Sequence, residues 1–366
     1  MSHSSGRSHP MTDARIAGLR VRMGEHALDA LLVTSLPNIR YLTGFSGSHA
    51  LAVVTARNAF FISDSRYALQ SAREVKRFRR IIGSLGLFED AAAAKTLRGC
   101  RAAGFESDSL TYAQYRSLRT LFPRVPFRPT SGIVESLALV KDRREVACIE
   151  EAAAISDSVF HDVLKFLRPG VTELEIAAEI SWLNRQRGAE SDAFDVIVAS
   201  GPRGALPHAR PTARKIRRGE LILLDFGSTI RGYCSDLTRT VALGGVPRRL
   251  REAYRAVLEA NESAAASARG GMTARALDAV ARGCIRRRGF GRYFIHSLGH
   301  GLGLRVHERP RVSALSPEVL QAGSVITIEP GIYIPGSGGV RIEDDVLLGD
   351  RGCRVLTRSP RELIVL

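Results

Sequence analysis

The stretch Leu221-Ile-Leu-Leu-Asp-Phe-Gly-Ser-Thr-Ile-Arg-Gly-Tyr-Cys-Ser-Asp-Leu-Thr-Arg-Thr240 decides the reading of the fold. An apolar strand ends at Asp225, a Gly-containing turn follows, and a Thr-rich strand opens at Asp236. With the tip at Thr229 to Gly232, Asp225 and Asp236 are expected to pair directly, and paired residues of antiparallel strands project to one face. Two bare carboxylates there repel unless a cation or a proton lies between them. The plainer alternative is a pair of exposed loop carboxylates, since Asp is common at turns.

Three later segments carry the same chemistry. His296-Ser-Leu-Gly-His-Gly-Leu-Gly-Leu-Arg-Val-His-Glu308 sets glycines around His300, and glycine lets backbone approach a ligand closely. Val325-Ile-Thr-Ile-Glu-Pro-Gly-Ile-Tyr-Ile334 and Gly339-Val-Arg-Ile-Glu-Asp-Asp-Val346 each place a carboxylate at or near the end of an apolar strand. Buried carboxylates without partners are costly, which again calls for a cation. Asp225, Asp236, Glu329 and Glu343 together balance two divalent ions. His300 is neutral, and Arg341 can offset a bridging hydroxide. Oxygen-rich ligation with one imidazole suits Mn, Co, Fe or Zn. Metals paired ~3.5–4 Å apart activate water and hold a tetrahedral intermediate.

Around these motifs the second part of the chain echoes itself. Arg168-Pro-Gly-Val-Thr172 and Arg269-Gly-Gly-Met-Thr273 open segments that end at Gly188 and Gly289, an offset of 101 residues throughout. Each reads as a helix with a Thr N-cap and a terminal Gly, and Thr172 with Glu175 has capping-box spacing. Long helices are expected before them, over 145–167 and 248–268, and strands after them, over 194–199 and 293–298. Two similar α+β halves then pack about a pseudo-twofold axis, with a site at their junction. Residues 12–140 read as alternating strands and helices: strands at 29–34, 50–55 and 59–63, then a helix over 65–80. The domain boundary is expected near 140, and residues 1–11 are read as a disordered leader.

The chain has 366 residues, which at ~150 per domain suggests two or three domains. Its net charge of +16 invites a nucleic-acid reading, but only five of the 53 basic residues are Lys and the Arg are scattered. No Gly-aromatic RNA-binding signature interleaves with them, so a biased, solvated surface is the simpler account. The longest charge-free run, about 16 residues, is too short for a membrane span of ~20. Five widely spaced cysteines without a C-x-x-C fit reduced thiols in a cytoplasmic protein.

The motifs LLDFG…GYCSDLTRT, GHGLGLRVHE, TIEPGIY and GGVRIEDD resemble those of the pita-bread metallopeptidases, in their proline-specific branch. Leu36-Pro-Asn-Ile-Arg-Tyr-Leu-Thr-Gly-Phe-Ser-Gly47 with Asp64-Ser-Arg-Tyr67 resembles the creatinase-type domain that precedes the catalytic domain there. The resemblance implies an α+β fold: a pseudo-twofold pita-bread catalytic domain over 141–366, behind a smaller α/β creatinase-like domain over 12–140. It implies two divalent ions (Mn, Co or Zn) held by Asp225, Asp236, His300, Glu329 and Glu343, with Asp236 and Glu343 bridging. His208 and His307 match the substrate-contacting histidines, Glu329 would shuttle the proton, and Arg341 would fix a ligand carboxylate beside the substrate. The implied reaction is hydrolysis before proline by a metal-bridging hydroxide. Compact length and the YLTGFSGS segment favour an Xaa-Pro aminopeptidase acting on peptides with proline in second position. The alternative is an Xaa-Pro dipeptidase, with Arg311 able to bind the terminal carboxylate. A non-catalytic pita-bread binding protein is the remote alternative. A homodimer is implied, without nucleic-acid or membrane partners.

Overall fold

Short β-branched runs and amphipathic helices alternate from the start of the chain, and the computed structural model, which describes residues 10–366, divides into two units between Ala138 and Leu139. Residues 1–9 of the expected leader lie outside the described residues, and helix α1 starts at Pro10.

The first unit contains α1 (Pro10–Glu25), β1 (Ala30–Val33), α2 (Leu36–Thr43), β2 (Leu51–Thr55), β3 (Ala59–Asp64), α3 (Ala68–Glu74) and β4 (Arg79–Gly83). It continues with α4 (Leu87–Ala93), β5 (Ala103–Glu106), α5 (Tyr112–Leu121), β6 (Phe127–Thr130) and α6 (Ile133–Ala138). The strands form one mixed sheet in the order β4-β3-β2-β1-β5-β6. β1 and β2 are buried along their whole length, as unbroken apolar runs require. The helix expected over 65–80 stops at Glu74. Burial of Val75 and Phe78 draws the chain out of the helix, and β4 then pairs parallel with β3 as an edge strand.

In the second unit, α7 (Arg143–Phe166) and α8 (Glu173–Gln186) precede β7 (Ser191–Asp192), β8 (Ile197–Ser200), β9 (Glu220–Phe226), β10 (Ser228–Ile230), β11 (Tyr233–Cys234) and β12 (Leu237–Leu243). The pattern then repeats: α9 (Arg248–Ser267), α10 (Ala274–Arg287), β13 (Gly299–Gly301), β14 (Glu308–Val312), β15 (Val325–Ile328), β16 (Gly331–Ile334), β17 (Gly338–Arg341), β18 (Asp344–Leu348) and β19 (Cys353–Val355). Thr172 and Thr273 both cap their helices, and Thr172 forms the capping box with Glu175. Each half has its own core. Val159, Phe160, Ile176 and Ile180 pack on Val198, Leu224 and Val241, while Leu250, Val257, Leu277 and Ile285 pack on Ile326, Ile332 and Ile342.

Two local expectations need correction. The hairpin turns at Arg231-Gly232, both at positive φ (48° and 78°), the conformation a two-residue type I′ turn requires. The register therefore pairs Asp225 with Thr238, and Asp236 becomes its diagonal neighbour on the same face. Residues 294–298 do not form the expected strand, because side chains of α10 take up their backbone groups. Arg282 donates to the carbonyls of Phe294 (3.0 Å) and His296 (2.9 Å), and the Leu298 N–H donates to Asp278 (3.2 Å).

The buried guanidinium of Arg239 ties β12 to the chain's last segment. It pairs with Asp344 at 2.8 Å, both side chains 1% exposed, and donates to the carbonyls of Ser359 (2.8 Å) and Pro360 (2.9 Å). Removing one partner of a buried pair strands the other charge. Arg239→Ala is expected to lose about 3–5 kcal/mol in urea unfolding, whereas Arg248→Ala, in an exposed i,i+4 pair with Glu252, loses under about 0.5 kcal/mol.

Candidate metal centre

Every acidic candidate sits where a strand ends, so its backbone is fixed by a ladder while its side chain reaches inward. Asp225 lies near the end of β9, Asp236 directly before β12, Glu329 after β15 and Glu343 between β17 and β18, while His300 is in the middle of β13. Pro330 follows Glu329 and ends the strand there, because proline offers no N–H to continue it.

The structure brings these residues together from both halves of the unit. Asp236, His300 and Glu343 each offer a ligand atom, all within 4.8 Å of one another. His300 Nε2 lies 3.7 Å from Asp236 Oδ2 and 3.4 Å from Glu329 Oε1. Its Nδ1 is 3.0 Å from the Gly301 carbonyl. A carbonyl can only accept, so Nδ1 carries the proton and the Nε2 lone pair faces the carboxylates. Asp225 is held by the guanidinium of Arg341.

The electrostatics are severe. Burial, followed by the charges of Glu343, Asp225, Asp345 and Glu329, drives the Asp236 carboxyl well above its ordinary range. Burial and the neighbouring Glu329 and Asp225 do the same to Glu343. Glu329 is pushed up to about 8 by burial, against the opposing pull of Arg341. Burial, with His307 beside it, lowers His300 to about 4 and so keeps it neutral. Hard oxygen donors that resist ionisation, plus one imidazole lone pair, are a donor set that fits divalent cations.

Arg341, expected to fix a ligand carboxylate beside the substrate, lies against the candidate ligand Asp225 and is buried. It is 4% exposed and contacts Asp225, Thr238 Oγ1 (3.1 Å), Tyr333 Oη (2.7 Å) and the Pro207 carbonyl (3.2 Å). Thr238 passes this contact on, donating to Glu343 Oε2 at 2.5 Å. The His307 ring lies 4.3 Å from that of His300. His208 is exposed on the loop after β8, and it is one of the neighbours that, after burial, lower the pKa of His296 and His307. Arg311 is an exposed residue of β14, directly opposite His300 in the ladder.

Sequence reasoning missed several supporting residues. Thr238 was legible, since it alternates with Asp236 along one strand face. His296, which shares a 2.9 Å hydrogen bond with Tyr333 Oη, lies inside the quoted histidine motif and received no role. Asn261 of α9 is wholly buried. Its Nδ2 donates to the carbonyls of Ile328 (3.0 Å) and Ile342 (3.3 Å), the residues immediately before Glu329 and Glu343. Its only signal was a polar residue on an Ala-rich helix face.

Comparison with known proteins agrees with this architecture. Residues 147–350 match metallopeptidase family M24, and residues 15–140 match the creatinase/prolidase N-terminal domain. The chain is 38% identical over 349 residues to the Xaa-Pro dipeptidase of Pyrococcus horikoshii, across 93% of this chain and 96% of that protein. The solved Xaa-Pro dipeptidase from Bacillus anthracis matches at TM-score 0.94 and 41% identity, over 97% of this chain and 100% of that one. The solved X-Pro aminopeptidase from Thermotoga maritima matches at TM-score 0.87 and 37% identity, over 93% and 98% respectively. The family implies divalent metal cofactors. This chain belongs to metallopeptidase family M24 and is a peptide hydrolase of the prolidase and Xaa-Pro peptidase type.

Proposed function

We propose that the chain is an Xaa-Pro dipeptidase, cleaving dipeptides whose C-terminal residue is proline. The sequence alone favoured the aminopeptidase reading. The names of the relatives favour the dipeptidase alternative, although the solved neighbours include an X-Pro aminopeptidase. The observation that carries the proposal is the convergence of Asp236, His300 and Glu343, with Arg311 paired opposite His300. Residues paired across antiparallel strands project to the same side, so Arg311 is suited to grip a free carboxylate next to the cluster. The complete set of ionisable ligands supports an enzyme over a non-catalytic binder.

Asp225, Asp236, His300, Glu329 and Glu343 would hold two divalent ions (Mn, Co or Zn), which lower the pKa of a water molecule and polarise the scissile carbonyl. Glu329 accepts a proton from the attacking water and returns it to the departing proline nitrogen, which must be protonated to leave. Burial lowers the His307 pKa, so near neutral pH its imidazole donates through a neutral N–H. His208 and His307 orient the peptide carbonyl and stabilise its developing oxyanion. Arg341 keeps Asp225 and Thr238 in place rather than touching the peptide. The reading includes a reducing, cytoplasmic setting, supported by five cysteines none of which forms a disulfide among the described residues, and the homodimer that the family resemblance implies. Among the described residues, no helix is long and apolar enough to cross a membrane.

Protein loaded with Mn, offered Xaa-Pro and Xaa-Pro-Xaa side by side, is expected to release products only from the dipeptide, read by chromatography. Efficient cleavage of the tripeptide would return the aminopeptidase reading. Arg311→Ala is expected to raise KM for Xaa-Pro about 10–100-fold with kcat little changed, the loss of a charge-assisted contact.

The acid cluster also sets the pH response of metal-free protein. A carboxyl whose pKa rises on folding stabilises the fold while protonated, and this contribution is lost as pH climbs through the folded value. Glu329 (about 8), Asp236 and Glu343 all act in this direction. The lowered His296 and His300 act only below 6.5. Between pH 6.5 and about 8, the Tm of chelator-treated protein is therefore expected to fall, and Mn should raise the Tm and flatten its slope. A metal-free Tm that rises across this window would contradict the burial of ionisable carboxyls.

A further inference from the structure

The loop that carries His208 begins with one short 3-10 turn and mixes buried with exposed residues, and both its ends meet one buried carboxylate. Glu173, the first residue of α8, has no exposed surface. Its Oε1 accepts from the Ser200 backbone N–H (2.9 Å) and hydroxyl (2.8 Å), at the entry to the loop. Its Oε2 accepts from Arg203 Nε (3.0 Å) and from the N–H (3.1 Å) and hydroxyl (2.8 Å) of Thr212, at the exit. Five donors therefore converge on one side chain, and they span residues 200–212.

Helix capping does not account for Glu173. Thr172 and Glu175 already form the capping box of α8, and the Glu173 and Leu174 N–H groups donate to the Arg214 and Thr212 carbonyls (both 3.1 Å), so the first turn is satisfied without the Glu173 side chain. An acidic residue that only complements the helix dipole would do so from the solvent side, at modest gain. Glu173 instead accepts its hydrogen bonds from the loop and is sealed from water.

The far side of the loop is seated separately. The Pro207 carbonyl, next to His208, accepts from Arg341 Nη1 at 3.2 Å. Gly204 lies so close to β17 that a Cβ there would come 3.0 Å from the Gly339 nitrogen. Arg203 Nη2 donates to the Arg210 carbonyl at 2.6 Å and so braces the loop across its width. With both ends fixed and the middle docked on Arg341, His208 has little freedom left. An ordered imidazole donor is what oxyanion stabilisation needs, because small misplacements of a catalytic group are costly in rate.

We propose that Glu173 is a positioning residue that presents His208 to the substrate by clamping both ends of the 200–212 loop. The proposal deepens the peptidase reading and rests on it. Two measurements test it. In a double-mutant cycle, Glu173→Gln is expected to lower kcat about 10–100-fold in the native background and less than about twofold beside His208→Ala. Equal losses in both backgrounds would overturn the proposal. Hydrogen–deuterium exchange needs no substrate: Glu173→Gln should accelerate exchange across 200–212 while α8 and the strands keep their protection. Unchanged loop exchange would overturn the clamp even in an active enzyme. A native enzyme inactive on both Xaa-Pro and Xaa-Pro-Xaa would instead overturn the Xaa-Pro reading and the role of His208, leaving exchange to judge the clamp. If Glu173→Gln does not fold, Arg203→Met removes one donor and keeps the carboxylate. It should then show faster loop exchange at smaller amplitude, and native-like exchange there would equally overturn the clamp.

Discussion

Acidic side chains crowded together away from water are the constraint on which the rest of this structure depends. Burial and mutual repulsion push Asp236, Glu329 and Glu343 toward protonation, and Arg341 supplies one fixed positive charge against them. An arrangement of this kind persists only with protons or cations among the carboxylates. Divalent ions, which the family implies, neutralise the cluster without sacrificing its ionised form. In the proposed function, that ionised form is what binds the metal and moves the proton.

The scaffold answers the same constraint. Each half of the catalytic unit lays a helix pair against its own strands with its own apolar core, and each contributes part of the cluster. The first half brings Asp225 and Asp236, and the second brings His300, Glu329 and Glu343. Polar contacts then set the spacing between them. Asn261 bridges the backbones just ahead of Glu329 and Glu343, Thr238 links Arg341 to Glu343, and the Asp236 N–H donates to Asp345 at 3.0 Å. Arg239, bound to Asp344 beside Glu343, extends this order to the final segment of the chain.

Much of this was legible in the sequence, where it depended on local pattern. The apolar runs of β1, β2 and β9, the Thr caps of α8 and α10, and the five candidate ligands all stand out in short windows. The failures come from interactions that a window does not contain. The hairpin tip was misplaced because Arg231 adopts a positive φ that Arg rarely takes. The stretch 294–298 looks like a strand, but Arg282 and Asp278, on a helix earlier in the chain, take up its hydrogen bonds. Arg341 is expected from the resemblance to fix a ligand carboxylate, but which carboxylate it holds, and its bonds to Tyr333 and Thr238, are visible only in three dimensions. In the proposed function the dipeptidase reading rests on exposed Arg311, which in the sequence is one Arg among many.

Anomalous diffraction at the manganese edge, from crystals grown with Mn near neutral pH, tests the central claim most directly. The account predicts two peaks ~3.5–4 Å apart, both within bonding distance of Asp236 and Glu343 oxygens. Saturating Mn with no peak among these carboxylates, in a well-ordered protein, would show that protons alone hold the cluster together and would contradict the account.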